Sequence, residues 1–416
     1  MTPPMLKPVL PLLALLLPAA ALAQTSPWYV GAAQTFTQES NLYRLGDGVA
    51  APAGASKSDL VSSTALLAGL DQPIGRQRLY GNATLRSSHF RDNSQLDNEG
   101  YALSAGVDWE TVGRLSGKLE ASADRSLARF DTDTEIGVQT RRNVEDSTRL
   151  FTEARIGVVT EYTLQASLEH RERRFSAPEY ERRENRQTTL TTGLRWRPQG
   201  GTMLGVGLRR TEGRYPSFRA LPAGGFEADR YTRDGLDLLG SYESGGATRV
   251  DARLTLGRTR HDQNEASDVS GATGYATWTW RTGGRLSLNA RIARDTGQDA
   301  YFSGSPFIDG VVDTSRTTST LRLGADYALS SKIQLRATLT QARRDLVRTL
   351  PPSALFPADA SGRDDTTELS LGATWEPTRA LVFGCDLGQE KRSASGTLSL
   401  PYSANRFGCY GQIFLR

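Results

Sequence analysis

The sequence predicts an all-β fold: one transmembrane antiparallel β-barrel of about 18 strands. Three observations lead there: a period-two alternation along the chain, a regular succession of short and long connections, and the placement of the tryptophans. The alternation is plain in Leu60, Ser62, Thr64, Leu66, Ala68 and Leu70, and in Tyr101, Leu103, Ala105, Val107 and Trp109. It returns in Leu150 to Val158, Leu286 to Ile292, and Leu369, Leu371, Ala373 and Trp375. The residues between are Ser, Thr, Gly, Asp, Glu, Arg and Gln, so each strand has one apolar and one polar face. Helical periodicity is absent.

Strand length and connection length separate a membrane barrel from a soluble sandwich. The runs extend over about 10 to 14 residues, longer than ordinary strands and sufficient for a membrane crossing. Short turns fall near 72–76, 110–114, 159–161, 197–201, 243–248, 281–285, 329–332 and 376–379. Longer polar loops fall near 39–58, 91–99, 131–145, 174–186, 215–230, 261–271, 295–315, 347–363 and 391–405. Eight turns and nine loops make seventeen connections and eighteen strands, with both termini on the side of the short turns. Short periplasmic turns and longer extracellular loops are the pattern of outer-membrane barrels. Trp28 opens the first strand, and Trp109, Trp196, Trp278, Trp280 and Trp375 each stand where a strand enters a short turn. Tyr242 and Tyr327 hold the same place at two further turns, as in an interfacial aromatic girdle.

Composition is consistent with this reading. The apolar fraction is 38% and the mean hydropathy is −0.44, because only one face of each strand need be apolar. The one long apolar run is N-terminal, so a polytopic helical protein is excluded. Met1 to Lys7, the apolar Pro8 to Ala20 and the small-residue site Ala21-Leu22-Ala23 read as a signal peptide over 1–23. The barrel then occupies 24–416, and no plug domain is expected between Gln24 and the first strand. The net charge of +4 comes from charges of mixed sign, with no basic block suited to nucleic acid.

Cys385 and Cys409 flank the last loop symmetrically, with midpoint 397, and both fall on the apolar face. In an exported hairpin they would sit opposite each other and form a disulfide; the alternative is two free thiols facing lipid. Inward parity falls on Arg86, Arg155, Arg195, Arg209, Arg253, Arg291, Arg322 and Arg336, and on Asp108, Glu120, Glu153, Glu169, Asp251, Asp326 and Glu368. These are candidate lumen-lining residues. They can serve as a network of ion pairs, or the arginines can also form a track for anions. His89, His170 and His261 stand in no nucleophile or metal motif, so no catalytic residue, metal or cofactor is expected. Gly205-Val206-Gly207 are strand glycines with no helix following and do not form a nucleotide loop.

Several segments together resemble the EpsL-like outer-membrane barrels encoded with exopolysaccharide biosynthesis genes. They are Ser40-Asn41-Leu42-Tyr43-Arg44-Leu45, Asp71-Gln72-Pro73-Ile74-Gly75-Arg76-Gln77-Arg78, Gly100-Tyr101 through Trp109, Gly113-Arg114-Leu115-Ser116-Gly117, and the cysteine-bearing C-terminal hairpin. The likeness spans the mature chain and is strongest over 28–130. It implies an outer-membrane location and a role in exopolysaccharide export, with a polysaccharide substrate, outer-membrane lipid around the barrel and periplasmic export partners. The alternative is a general or small-solute porin; a structural or adhesive barrel and an outer-membrane enzyme come after it. The chain ends Phe414-Leu415-Arg416, which sets the terminal aromatic two residues earlier than outer-membrane barrels usually have it.

Overall fold

In the computed structural model, eighteen strands form one antiparallel sheet that closes on itself. The described residues are 26–130, 140–157, 160–198, 200–221, 223–263, 268–296, 315–349, 359–396 and 398–416. The segment read as a signal peptide, most of the 295–315 and 347–363 loops and part of the 131–145 loop lie outside them. The strands are β1 (Trp28–Glu39), β2 (Asp59–Ile74), β3 (Gln77–Phe90), β4 (Asn98–Glu110), β5 (Leu115–Leu127), β6 (Val144–Ile156), β7 (Tyr162–Phe175), β8 (Asn185–Trp196) and β9 (Thr202–Ala220). They continue as β10 (Phe226–Ser244), β11 (Thr248–His261), β12 (Val269–Arg281), β13 (Leu286–Asp295), β14 (Ser315–Ala328), β15 (Ile333–Thr349), β16 (Asp359–Trp375), β17 (Leu381–Gly396) and β18 (Tyr402–Leu415).

Each strand pairs with its neighbours in sequence, and β1 pairs with β18 from Val30 opposite Leu415 to Glu39 opposite Arg406. That seam removes both sheet edges, so the ladder leaves no strand with an unpaired row of backbone groups.

The outward face is apolar. Leu66 is 59% exposed and faces Leu85, itself 53% exposed, across β2 and β3. Leu208, Leu236 and Leu256 form a similar rung on β9, β10 and β11. A continuous exposed band of this kind is far larger than a water-soluble surface carries, and it defines a membrane-spanning belt. Trp28, Trp196, Tyr242, Trp278, Trp280, Tyr327 and Trp375 are all exposed at the short-turn end of this belt.

Aromatic side chains also brace the wall. Tyr29, Tyr80, Tyr231 and Tyr410 stand directly opposite Gly69, Gly106, Gly213 and Gly384. A Cβ at any of these glycines would meet the opposing ring at 2.5 Å or closer. Each ring therefore lies flat over its glycine, covering a backbone that has no side chain of its own. Outside the barrel, Trp109 covers Gly117 in the same way and is for that reason only half-exposed.

Two extracellular hairpins differ from the sequence expectation. The connection expected over 215–230 is only 221–225, because β9 and β10 run for 19 residues each. The one expected over 391–405 is only 397–401. Above the membrane both strand faces are polar, so hydropathy alternation fades while the backbone ladder continues.

Cys385 and Cys409 are opposite each other on β17 and β18, with Cα atoms 4.0 Å apart, and are joined by a disulfide on the outward face. It closes a 24-residue separation, which in the chain-entropy account stabilises by about 3 kcal/mol. Native protein is therefore expected to yield no alkylatable thiol until reduced. Reduction, or Cys385→Ala with Cys409→Ala, is expected to lower the temperature at which the barrel loses its heat-modifiable gel mobility.

Candidate transport lumen

The face opposite the exposed leucines points into the barrel and is polar. Near the short-turn half of β5 to β7, carboxylates and cations interleave. Glu120 lies 2.5 Å from both Lys118 and Arg149, and Arg149 reaches Glu169 at 2.8 Å. Glu169 also forms an ion pair with Arg171 at 2.6 Å. Arg155 pairs with Glu153 at 3.0 Å, Arg209 with Asp237 at 2.9 Å and Arg336 with Asp326 at 2.6 Å. Asp108 and Asp251 are held by Arg78 at 3.7 Å and Arg249 at 2.7 Å. Glu368 stands directly opposite Glu390 on the neighbouring strand.

The remaining inward arginines are different. Arg86, Arg195, Arg253, Arg291 and Arg322 have no carboxylate within ion-pair distance among the described residues. Four of them gather on one wall. Arg291 and Arg322 are directly opposed on β13 and β14. The Arg291 guanidinium lies 4.1 Å from the Tyr275 ring centroid, and that of Arg253 lies 6.0 Å from the same ring. Arg195 lies on the register line that runs through Gly205 and Leu239 to Arg253. The Nε–H groups of Arg195 and Arg253 are buried and find no acceptor. Like charges in direct opposition repel; Glu153 acts on Arg195 and Asp295 on Arg291 only from beyond ion-pair distance, so the wall carries a positive field. In a low-dielectric channel such a field concentrates anions.

The extracellular mouth is crossed by side chains that are not among the candidate lumen-lining residues. Arg44, in the β1–β2 loop, donates to Asn41 O at 2.6 Å, to Glu39 at 2.8 Å and to Glu390 at 3.1 Å. Arg129, just beyond β5, also pairs with Glu390. Strands β5 and β17 are separated around the barrel by β18 and β1 to β4, so this pair spans the lumen. The Tyr402 hydroxyl donates to Glu390 at 2.6 Å, completing a buried carboxylate with three donors.

Beneath these charges Tyr43, Leu45, Phe90, Leu96 and Phe130 form an apolar cluster. Tyr43 and Phe130 meet edge to face with centroids 4.8 Å apart. The Tyr43 hydroxyl donates to Asn93 at 2.9 Å, and burial pushes it above its ordinary pKa. Asn93 in turn donates to Asp59 at 2.7 Å, and Asn41 ties the loop to Ser403 O at 2.8 Å. The first loop is thus folded over the mouth and fastened to the wall at several points.

The histidines do not converge. His170 faces outward against Thr188 at 2.9 Å. His89 lies 3.0 Å from Asp97 near the β3–β4 connection. Partial burial raises the Asp97 carboxyl, but the Phe90 N–H and His89 outweigh it and hold the group below its ordinary pKa. His261 is buried inside the barrel, 2.7 Å from Asp229 and stacked on Tyr231. Among the described residues no three His, Cys, Asp or Glu side chains gather as a metal centre.

Parity along β17 was enough to place Glu390 inward, five residues from outward Cys385. Its partners were not readable, because they lie 261 and 346 residues away.

No protein-family profile matches the chain, and no curated protein matches it in sequence. Among solved structures it is similar to Pseudomonas aeruginosa OpdK with vanillate, at 10% identity and a TM-score of 0.48, covering 93% of this chain and 99% of that one. For P. aeruginosa OccK2 (OpdF) the values are 14%, 0.49, 93% and 98%. For the P. aeruginosa siderophore receptor PirA they are 10%, 0.42, 94% and 81%.

Replacing Glu390 by Ala removes the buried carboxylate shared by Arg44 and Arg129 and unfastens the first loop from β17. Breaking such a pair costs about 3–5 kcal/mol. The expected outcome is a lower unfolding temperature together with a larger single-channel conductance in planar bilayers.

Proposed function

We propose that the chain is an outer-membrane channel for the passive passage of small hydrophilic solutes, with a preference for acidic ones. The observation that carries this reading is the arginine wall of Arg195, Arg253, Arg291 and Arg322, none of which has a carboxylate within ion-pair distance among the described residues. A solute carboxylate or phosphate can take forked hydrogen bonds from these guanidinium groups in place of water. Tyr275 holds Arg291 in place by its ring face. The folded first loop, with Arg44 and Arg129 fastened to Glu390, narrows the entrance and favours small solutes over wide ones. The ion pairs lower in the lumen keep the wall hydrated and rigid without adding net charge.

A second reading follows from the resemblance to EpsL-like proteins: passage of a secreted polysaccharide, aided by periplasmic partners. Tyr29, Tyr80 and Tyr410 favour it, since rings lying flat on the wall present a face on which sugar rings can stack. In that reading the first loop has to leave the mouth. The two are separated by loss of the gene: polymer export predicts loss of surface polysaccharide, whereas the small-solute reading leaves it intact.

The channel reading is tested by reversal potentials across planar bilayers under a salt gradient. Wild-type protein is expected to pass chloride in preference to potassium. Arg253→Gln, Arg291→Gln and Arg322→Gln together are expected to reduce that preference several-fold, more at low ionic strength than at high. A cation-selective wild-type pore, or a triple variant with unchanged selectivity, would overturn it.

A further inference from the structure

The outward face of the barrel carries a second set of arginines, above the apolar belt and remote from the lumen. At other points on this face the cross-strand arrangement neutralises charge. Arg125 on β5 stands opposite Asp146 on β6, with the ion pair at 3.0 Å. Arg343 and Asp345 on β15 stand opposite Asp365 and Arg363 on β16, at 2.8 and 2.9 Å. On β8, β9 and β10 the pattern breaks. Arg186 is directly opposite Arg214, and Arg214 is directly opposite Arg230. Arg260, opposite Thr232, extends the patch onto β11, while Arg258 stands opposite Asp234.

Arg186 is taken up by Glu172 at 2.6 Å, and Arg210 by Glu212 at 3.0 Å and Asp234 at 3.6 Å. Arg214, Arg230, Arg258 and Arg260 are exposed and have no carboxylate within ion-pair distance among the described residues. The backbone N–H of Asp262 donates to Arg230 O at 2.9 Å, but its carboxylate makes no ion pair among the described residues. Directly opposed like charges are destabilising, so a rung of three arginines calls for an anion from outside the chain.

Its depth says which anion. On β8 Arg186 lies ten residues from Trp196 in the girdle at the short-turn end, and on β10 Arg230 lies twelve residues from Tyr242. At a rise of about 3.3 Å per residue and a tilt of about 40°, ten residues climb about 25 Å, one membrane crossing. The rung thus stands at the level of the lipid headgroups in the outer leaflet, six residues above Leu208 on β9 and Leu236 on β10, with the outward Arg210, Glu212 and Asp234 between.

We propose that the outward faces of β8 to β11 form a binding site for the phosphate groups of an outer-leaflet glycolipid. Arg214 and Arg230, flanked by Arg186 and Arg260, would grip the phosphate while the acyl chains lie along the leucines below. The site requires the barrel to sit in a membrane but is independent of what passes through the lumen.

The test uses the full chain in non-ionic detergent, titrated with diphosphorylated lipid A, with its dephosphorylated form, and with inorganic phosphate. Thermal unfolding and native mass spectrometry are the readouts. Diphosphorylated lipid A is expected to raise the unfolding temperature and remain bound, and dephosphorylated lipid is not. Arg214→Gln with Arg230→Gln is expected to weaken binding about tenfold, as loss of charge-assisted hydrogen bonds should, while Arg343→Gln leaves it unchanged. Equal stabilisation by the dephosphorylated lipid overturns the proposal, and this comparison needs no variant. Unchanged affinity in the double variant overturns it as well. If inorganic phosphate saturates the effect at the same concentration, the site takes a free anion and the lipid assignment fails.

Discussion

A membrane interior offers no water to a bare N–H or C=O, and each unsatisfied group there costs several kcal/mol. The pairing of β1 with β18 answers this for the whole molecule, since it turns a sheet with two open edges into one with none. Every other feature follows from holding that closed ladder together. The polar face must turn inward once the apolar face meets lipid, so the lumen is wet by geometry. The Cys385–Cys409 disulfide ties the last hairpin next to the seam, where Cys409 also stands opposite Phe36 of β1.

Within that frame, arginine serves two opposite ends. Where carboxylates face it across the strands, as in the Lys118, Glu120, Arg149 and Glu169 chain, it stiffens the wall and cancels charge. Where arginine faces arginine, as with Arg291 and Arg322, the same side chain leaves a field to be answered by something else. The outward rung of Arg186, Arg214 and Arg230 repeats the second arrangement on the lipid side. On the proposed readings, position decides the partner: a solute inside, and a headgroup at the rim.

The mouth shows a third use. Arg44 and Arg129 bind a buried glutamate, and an apolar knot of Tyr43, Leu45, Phe90, Leu96 and Phe130 supports them. This is the one soluble-like core in the described part of the molecule. A loop held by both ion pairs and apolar burial is more firmly seated than either would make it.

Much of this was legible in the sequence because strand periodicity is local. A side chain two residues along points the same way, so the parity of Leu66, Arg195 or Cys385 follows from its neighbours, and the strand count follows from the turns. Hairpin symmetry paired Cys385 with Cys409 for the same reason. Loop ends at 215–230 and 391–405 were placed too wide, because hydropathy stops alternating above the membrane while the ladder does not. What the tertiary structure alone decided is which charges are answered. Arg44, Arg129 and Glu390 meet only because closure brings β5 and β17 to face each other across one lumen. Arg291 and Arg322 oppose each other only because of a cross-strand register. Parity gives a direction for each side chain, but a Coulomb interaction depends on distance, and distances across a barrel exist only once the sheet has closed.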